Sequence, residues 1–143
     1  MNTNIKSVLF VCVGNTCRSQ LAAAITNHRF SGHWVAVSGG IKIERERDER
    51  TRIVLQDIGI NDAVPAATNI QNYNGKEFDL IITLDDSVRL PVAELFKSVP
   101  IMHQYIEDPF RDEDVDSEEM ELSRHREARE EVIDKIIPMI ASF

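Results

Sequence analysis

Cysteine is scarce in this chain of 143 residues: there are 2, Cys12 and Cys17. Lying in one short segment, they cannot form the disulfide framework that staples small secreted domains, and four intervening residues do not match a thioredoxin-type motif. Positive charge is also short. Lys and Arg number 16 against 24 Asp and Glu, a formal net charge of −8, and a nucleic-acid binder would instead show a basic face. Any anion site must therefore be local. No apolar run reaches the roughly 18 residues of a membrane span, and the N-terminus lacks the charged, apolar and small-residue order of an export signal. These absences predict a soluble, unexported protein in a reducing cytoplasm, with neither nucleic acid nor membrane as partner. His28, His33, His103 and His125 show no ligand spacing with cysteine or carboxylate pairs, so metal binding is not expected. Dinucleotide and nucleoside-triphosphate glycine motifs are missing too, as are internal repeats, low-complexity stretches and linkers. Residues 1–143 read as a single domain, long enough for a core of its own.

What is present is alternation. Ser7 to Val11 is a β-branched apolar run, and Leu21 to Ile25 is helical in pattern. Trp34 to Ser38 reads as a short strand closed by Gly39-Gly40. The charged stretch Glu44 to Arg52 runs into Ile53, Val54, Leu55 and Ile58 as a helix with a solvated face and Gly59 as its stop. A turn-rich segment from Asn61 to Gly75 leads to Phe78–Thr83, an apolar strand of the kind buried on both faces. Ser87 to Phe96 reads as a helix despite Pro91, and Val99 to Met102 as a last strand. From Glu118 onward, Met120, Leu122, Val132, Ile133, Ile136, Ile137 and Ile140 predict one long terminal helix with an apolar stripe, its end disturbed by Pro138. The acidic patch Asp108 to Glu121 reads either as a solvated loop or as a substrate-repelling or partner-facing surface. Strands alternating with helices predict the α/β class, a parallel sheet between helical layers with ligands bound beyond the carboxyl ends of the strands.

At the end of the first strand stands Cys12-Val13-Gly14-Asn15-Thr16-Cys17-Arg18-Ser19. A thiol opens this loop, a guanidinium closes it, and a helix follows. Gly14 and Asn15 are residue types that tolerate a left-handed backbone, which the loop needs if its N–H groups are to converge on one point. The helix adds its unpaired donors and the positive end of its dipole there. Ionising a cysteine almost fully near neutrality takes about 3 kcal/mol of preference for the thiolate. Two hydrogen bonds to the charge, about 1.5–3 kcal/mol each, and a helix terminus supply that. Cys12 is thus expected to be a thiolate facing an oxyanion site.

Val8 to Ser19 resembles the signature of the low-molecular-weight protein tyrosine phosphatases and of the arsenate reductases that share their fold. Glu107-Asp108-Pro109-Phe110 is similar to the Asp-Pro-aromatic segment where that family keeps its general acid, so the resemblance spans the chain. It implies a three-layer sandwich: a four-stranded parallel sheet flanked by helices, with a phosphate-binding loop after the first strand. It implies hydrolysis of phosphotyrosine or aryl phosphate through a cysteinyl-phosphate intermediate. In that scheme Cys12 attacks phosphorus, while the N–H groups of Val13, Gly14, Asn15, Thr16, Cys17, Arg18 and Ser19 with the Arg18 fork hold the oxygens. Asp108 is the acid, with Glu107 its rival. Ser19 bonds the thiolate or caps the helix, Asn15 keeps the loop's shape, and Phe110 walls the substrate. Neither metal nor other cofactor is called for. The implied partner is a phosphotyrosine protein or small aryl phosphate, with a thiol reductant in the reductase branch.

Departures from the family pattern point both ways. Gln20 stands where many of the phosphatases have proline and is more usual among the reductases. Thr83 to Ser87, however, lacks the two further cysteines of thioredoxin-linked reductases. Pro65 and Thr68 occupy the places of a His and Arg that often support the loop asparagine. The wall loop Ile41-Lys42-Ile43-Glu44 has no aromatic, and Arg111 replaces a second tyrosine. The alternative functions are arsenate reduction at Cys12 with a neighbouring or external thiol, and oxyanion binding without catalysis. Because the loop must curl, Cys12 and Cys17 are also expected to form a reversible, protective disulfide.

Overall fold

In the computed structural model, which describes residues 4–110 and 117–143, β1 (Lys6–Val11) lies inside a four-stranded sheet of order β2-β1-β3-β4. Its companions are β2 (Trp34–Gly39), β3 (Leu80–Thr83) and β4 (Ile101–His103), and every pairing is parallel. Val11 pairs with Gly39 and Thr83, and Thr83 with His103, so all four strands end at one level. The chain leaves β1 toward β2 on one side and returns to β3 on the other. That reversal opens the crevice in which open parallel sheets bind ligands, and the loop at Cys12 sits there.

Both faces of β1 are covered because its side chains alternate. Val8 and Phe10 pack with Leu21, Ala22 and Ile25 of α1 (Arg18–Arg29), Val54 and Leu55 of α2 (Glu49–Gln56) and Ala128 of α4 (Glu118–Glu131). Leu9 and Val11 face the opposite layer, built from Val88, Phe96 and Val92 of α3 (Arg89–Leu95). The expected three-layer α/β sandwich is the observed one.

Element boundaries depart from the pattern where local chemistry intervenes. The second helix begins at Glu49 and not near Glu44, because the Asp48 side chain accepts from Arg50 N at 3.1 Å and caps it. Residues 44–47 are thereby released to the sheet's rim. The third strand starts at Leu80; Phe78 instead sets its ring edge-on between Tyr73 and Phe96. Pro91 is tolerated because it falls in the first turn of α3, where an N–H has no intrahelical acceptor. The last strand is Ile101–His103, shifted toward the rim. The terminal helix is broken: α4 passes into a π-helical turn at Val132–Ile136 before α5 (Ile137–Ser142). The widened turn takes up the clash that the Pro138 ring would make with the carbonyl of Asp134. Arg111 and the middle of the acidic patch, positions 111–116, lie outside the described residues. Among the described residues no helix is long and apolar enough to cross a membrane.

Candidate functional site

Asn15 is the one non-glycine residue described with a positive φ, 57°. A left-handed residue must be held by its surroundings, and Asn15 is held from three directions. Its Nδ2 donates to Ser19 Oγ at 2.8 Å, its Oδ1 accepts from the Thr68 N–H at 2.8 Å, and its carbonyl accepts from Gln20 Nε2 at 3.1 Å. Gln20 Nε2 also reaches the carbonyl of Pro65 at 3.0 Å. Backbone groups of the 65–68 segment and the Gln20 side chain therefore brace the asparagine where the family's His and Arg are missing. Gly14, expected to share the left-handed geometry, does not adopt it, because Asn15 alone reverses the chain. A glycine is required instead at Gly40. A Cβ there would stand 2.6 Å from the Val13 carbonyl oxygen and 3.1 Å from Asn15 N. That carbonyl accepts from Ile41 N and Lys42 N at 2.9 and 3.0 Å, so the end of β2 is sewn to the loop.

Cys12 Sγ lies 2.8 Å from Ser19 Oγ. Since Asn15 already donates into that hydroxyl oxygen, the hydroxyl proton is free to point at sulfur. Ser19 lies inside the first turn of α1, whose N-cap position is Cys17 without a side-chain cap bond; the capping alternative is not what the structure shows. Cys17 is buried, and burial together with the Asp48 charge pushes its thiol well up from the ordinary value. Both cysteines are free and buried. The single hydroxyl proton of Thr51 goes to the Thr16 carbonyl at 2.6 Å, so its contact with Cys17 has the oxygen as acceptor, and the loop's second half is fixed to α2.

Arg18 is only 4% exposed. Its Nη1 is spent on Asp85 Oδ2 at 2.8 Å and the Ile106 carbonyl at 3.0 Å, which leaves the Nε–Nη2 edge as the fork for an anion. Burial lowers the guanidinium, but the charges of Cys12, Asp85 and Asp108 outweigh it and hold the group above its ordinary value. Asp85 is itself fixed by Ser87, whose N–H and hydroxyl donate to Oδ1 at 3.0 and 2.7 Å. Burial raises its carboxyl; Ser87 and Arg18 more than reverse that, and it stays below the usual carboxylate range. Asp108 Oδ2 lies 3.9 Å from Arg18 Nη2, and its Oδ1 accepts from Phe110 N at 2.9 Å. The cavity they share, about 420 Å³, is lined by Cys12 to Arg18, Lys42, Glu44, Arg45, Asp108, Pro109, Phe110, Glu121 and Arg124. The loop that carries Cys12 and Arg18 and the distant segment that carries Asp108 and Phe110 thus meet at one opening.

Several site residues escaped the sequence reading. Asp85 was legible only as the opening of an Asp-x-Ser turn, with nothing local to aim it at Arg18. His125 is fully buried: Nε2 lies 2.7 Å from Asp48 Oδ2, and Nδ1 2.8 Å from the Glu121 carbonyl. Burial raises the Asp48 carboxyl, but the hydrogen bond and charge of His125, with Arg50, bring it below the ordinary value. Among the described residues no group of three or more His, Cys, Asp or Glu side chains is placed to hold a metal.

The family model described as low molecular weight phosphotyrosine protein phosphatase matches residues 7–141. The chain is 33% identical over 135 residues to the low molecular weight phosphotyrosine protein phosphatase of Sus scrofa, covering 79% of this chain and 85% of that one. An arsenate reductase solved in its phosphate-binding state superposes with a TM-score of 0.70 at 27% identity, covering 94% of this chain and 98% of the other. The YwlE arginine phosphatase from Geobacillus stearothermophilus superposes with a TM-score of 0.74 at 22% identity, covering 96% and 94%, and so shares the fold.

Proposed function

Because the chain belongs to the low molecular weight phosphotyrosine protein phosphatase family, we propose that it hydrolyses phosphotyrosine and related aryl phosphate monoesters through a cysteinyl-phosphate intermediate. Cys12 Sγ attacks phosphorus in line, the bond to the aryl oxygen breaks, and Asp108 gives its proton to that oxygen. The loop N–H groups and the free edge of Arg18 hold the three equatorial oxygens. Water then attacks phosphorus, the Asp108 carboxylate takes its proton, and the P–S bond breaks to return a thiolate that the Ser19 hydroxyl receives. One observation carries the reading: Asp108 stands 3.9 Å from Arg18 over the cavity that Cys12 lines, and Ser19 bonds the sulfur. Two free cysteines suit a reducing cytoplasm, and the substrate is a phosphotyrosine protein or a small aryl ester.

Arsenate reduction is the second reading, favoured by Gln20 and by the reductase relatives. Arsenate bound to Cys12 leaves as arsenite only when a second thiol attacks. Cys17 is a poor candidate because burial keeps its thiol protonated, so an external thiol such as glutathione is the better donor. Side-by-side assays of aryl phosphate hydrolysis and thiol-coupled arsenate reduction decide the matter. Metal-independent hydrolysis with weak thioredoxin-coupled reduction is expected. Efficient thioredoxin-coupled turnover without hydrolysis overturns the phosphatase reading, and turnover of neither would leave an oxyanion-binding module.

A further inference from the structure

Behind the aromatic wall lies a buried His–Asp pair that the chemistry above does not use. His125 on α4 has its two ring nitrogens against the Asp48 carboxylate and the Glu121 carbonyl, at 2.7 and 2.8 Å. Each ring nitrogen thus lies within hydrogen-bond distance of an oxygen held by the surrounding structure. With both nitrogens so placed, the ring is held against turning. The His125 and Phe110 rings stand in a T-shaped contact, 5.2 Å between centroids and 88° between planes, and the Arg45 guanidinium lies 5.0 Å from the Phe110 centroid. A ring pair prefers this edge-to-face arrangement, and an aromatic quadrupole favours the Arg45 cation. Phe110 donates its backbone N–H to Asp108, a bond within the turn that does not depend on where the ring stands.

Resting on the aryl phosphatase reading, we propose that His125 is a positioning residue for the substrate's aryl group: pinned by Asp48 and the Glu121 carbonyl, it fixes Phe110 as the wall of the cavity. The phosphate loop does not depend on it for its own shape, which Thr68, Gln20 and Gly40 maintain.

The test separates aryl binding from phosphate binding. In His125→Gln, KM for an aryl phosphate should rise about three- to tenfold, while kcat stays within about twofold and the inhibition constant of inorganic phosphate is unchanged. Phe110→Ala should raise KM likewise, and the double variant should add nothing further. Should His125→Gln fail to fold, Asp48→Ser decides, because serine caps α2 as well as aspartate does but is too short to reach the ring nitrogen; the same KM rise is expected. A parallel rise in the phosphate inhibition constant overturns the inference, since it would place the effect in the loop. So does additivity with Phe110→Ala, or an unchanged KM in both variants of an active enzyme. Absence of aryl phosphate turnover in the wild type instead overturns the phosphatase reading itself.

Discussion

The phosphate loop and the turn at Asp108 meet over one cavity but are built on opposite plans. Asn15, Arg18 and Ser19 are buried and bound to Thr68, Asp85, Ile106 and Cys12, and the loop carbonyls of Val13 and Thr16 accept from Ile41, Lys42 and Thr51. The Asp108 side chain, in contrast, is 40% exposed and accepts from the N–H two residues on in its own turn. An oxyanion is the same in every substrate, so its donors are fixed before it arrives and cost no reorganisation in the reaction. In the proposed reaction the leaving group differs between substrates, and the acid proposed for it is half-exposed. On the proposed reaction, fixed geometry would serve the constant part of the substrate and the solvent-facing turn the variable part.

Replacing the nucleophile strains this comparison most. Cys12→Ser should abolish aryl phosphate turnover yet keep binding inorganic phosphate or vanadate, because the donors belong to other residues; residual wild-type activity would remove Cys12 from its role. Next comes the turn. Asp108→Asn should lower kcat by about 10²-fold or more for poor leaving groups and less for good ones, with Glu107→Gln nearly silent. The reverse ranking would make Glu107 the acid. Gly40→Ala drives a Cβ against the Val13 carbonyl and should cost about 1–3 kcal/mol of stability, with weaker phosphate binding and no change in leaving-group dependence. Retained phosphate affinity and an unchanged melting temperature would show that the loop is not sewn to β2 as described.

Smaller effects lie in pH and oxidation. Asp85 is held below its ordinary value by Ser87 and Arg18 against burial. Its contribution to stability is therefore present above the unfolded value, about pH 4, and lost as pH falls through the depressed folded one. Asp85→Asn should be less stable at pH 7 and lose stability less steeply in acid, as urea unfolding at several pH values would show; parallel curves refute the assignment. Least marked is Cys17. After peroxide and then a dithiol, wild type should regain most of its activity and Cys17→Ser much less. The high Cys17 thiol slows that capture, and equal recovery would reduce Cys17 to a packing residue.

The loop was legible because its requirements are local. A thiol, an αL-tolerant asparagine, an arginine and a following helix occupy eight consecutive positions, Cys12 to Ser19. The sheet was legible because apolar strands buried on both faces differ so plainly from amphipathic helices. What was hidden depends on pairing across distance. Asp85 lies 67 residues from Arg18, and Asp48 lies 77 from His125; charges so separated read as solvated surface. Gly14 misled for the opposite reason. Its permissiveness is visible in the sequence, but whether the backbone uses it is decided by neighbours, and Asn15 already supplies the reversal. The π turn ahead of Pro138 was legible as a disturbance and illegible in form, since kinking and widening both relieve the same clash.

The bond from the Thr68 amide to Asn15 Oδ1 makes that amide a spectator of the loop. Its hydrogen can exchange with solvent only when Asn15 lets go, so its protection reports the free energy of opening the empty phosphate site. If the loop is the proposed anion site, added phosphate should slow Thr68 exchange by the amount that the bound anion stabilises the closed loop.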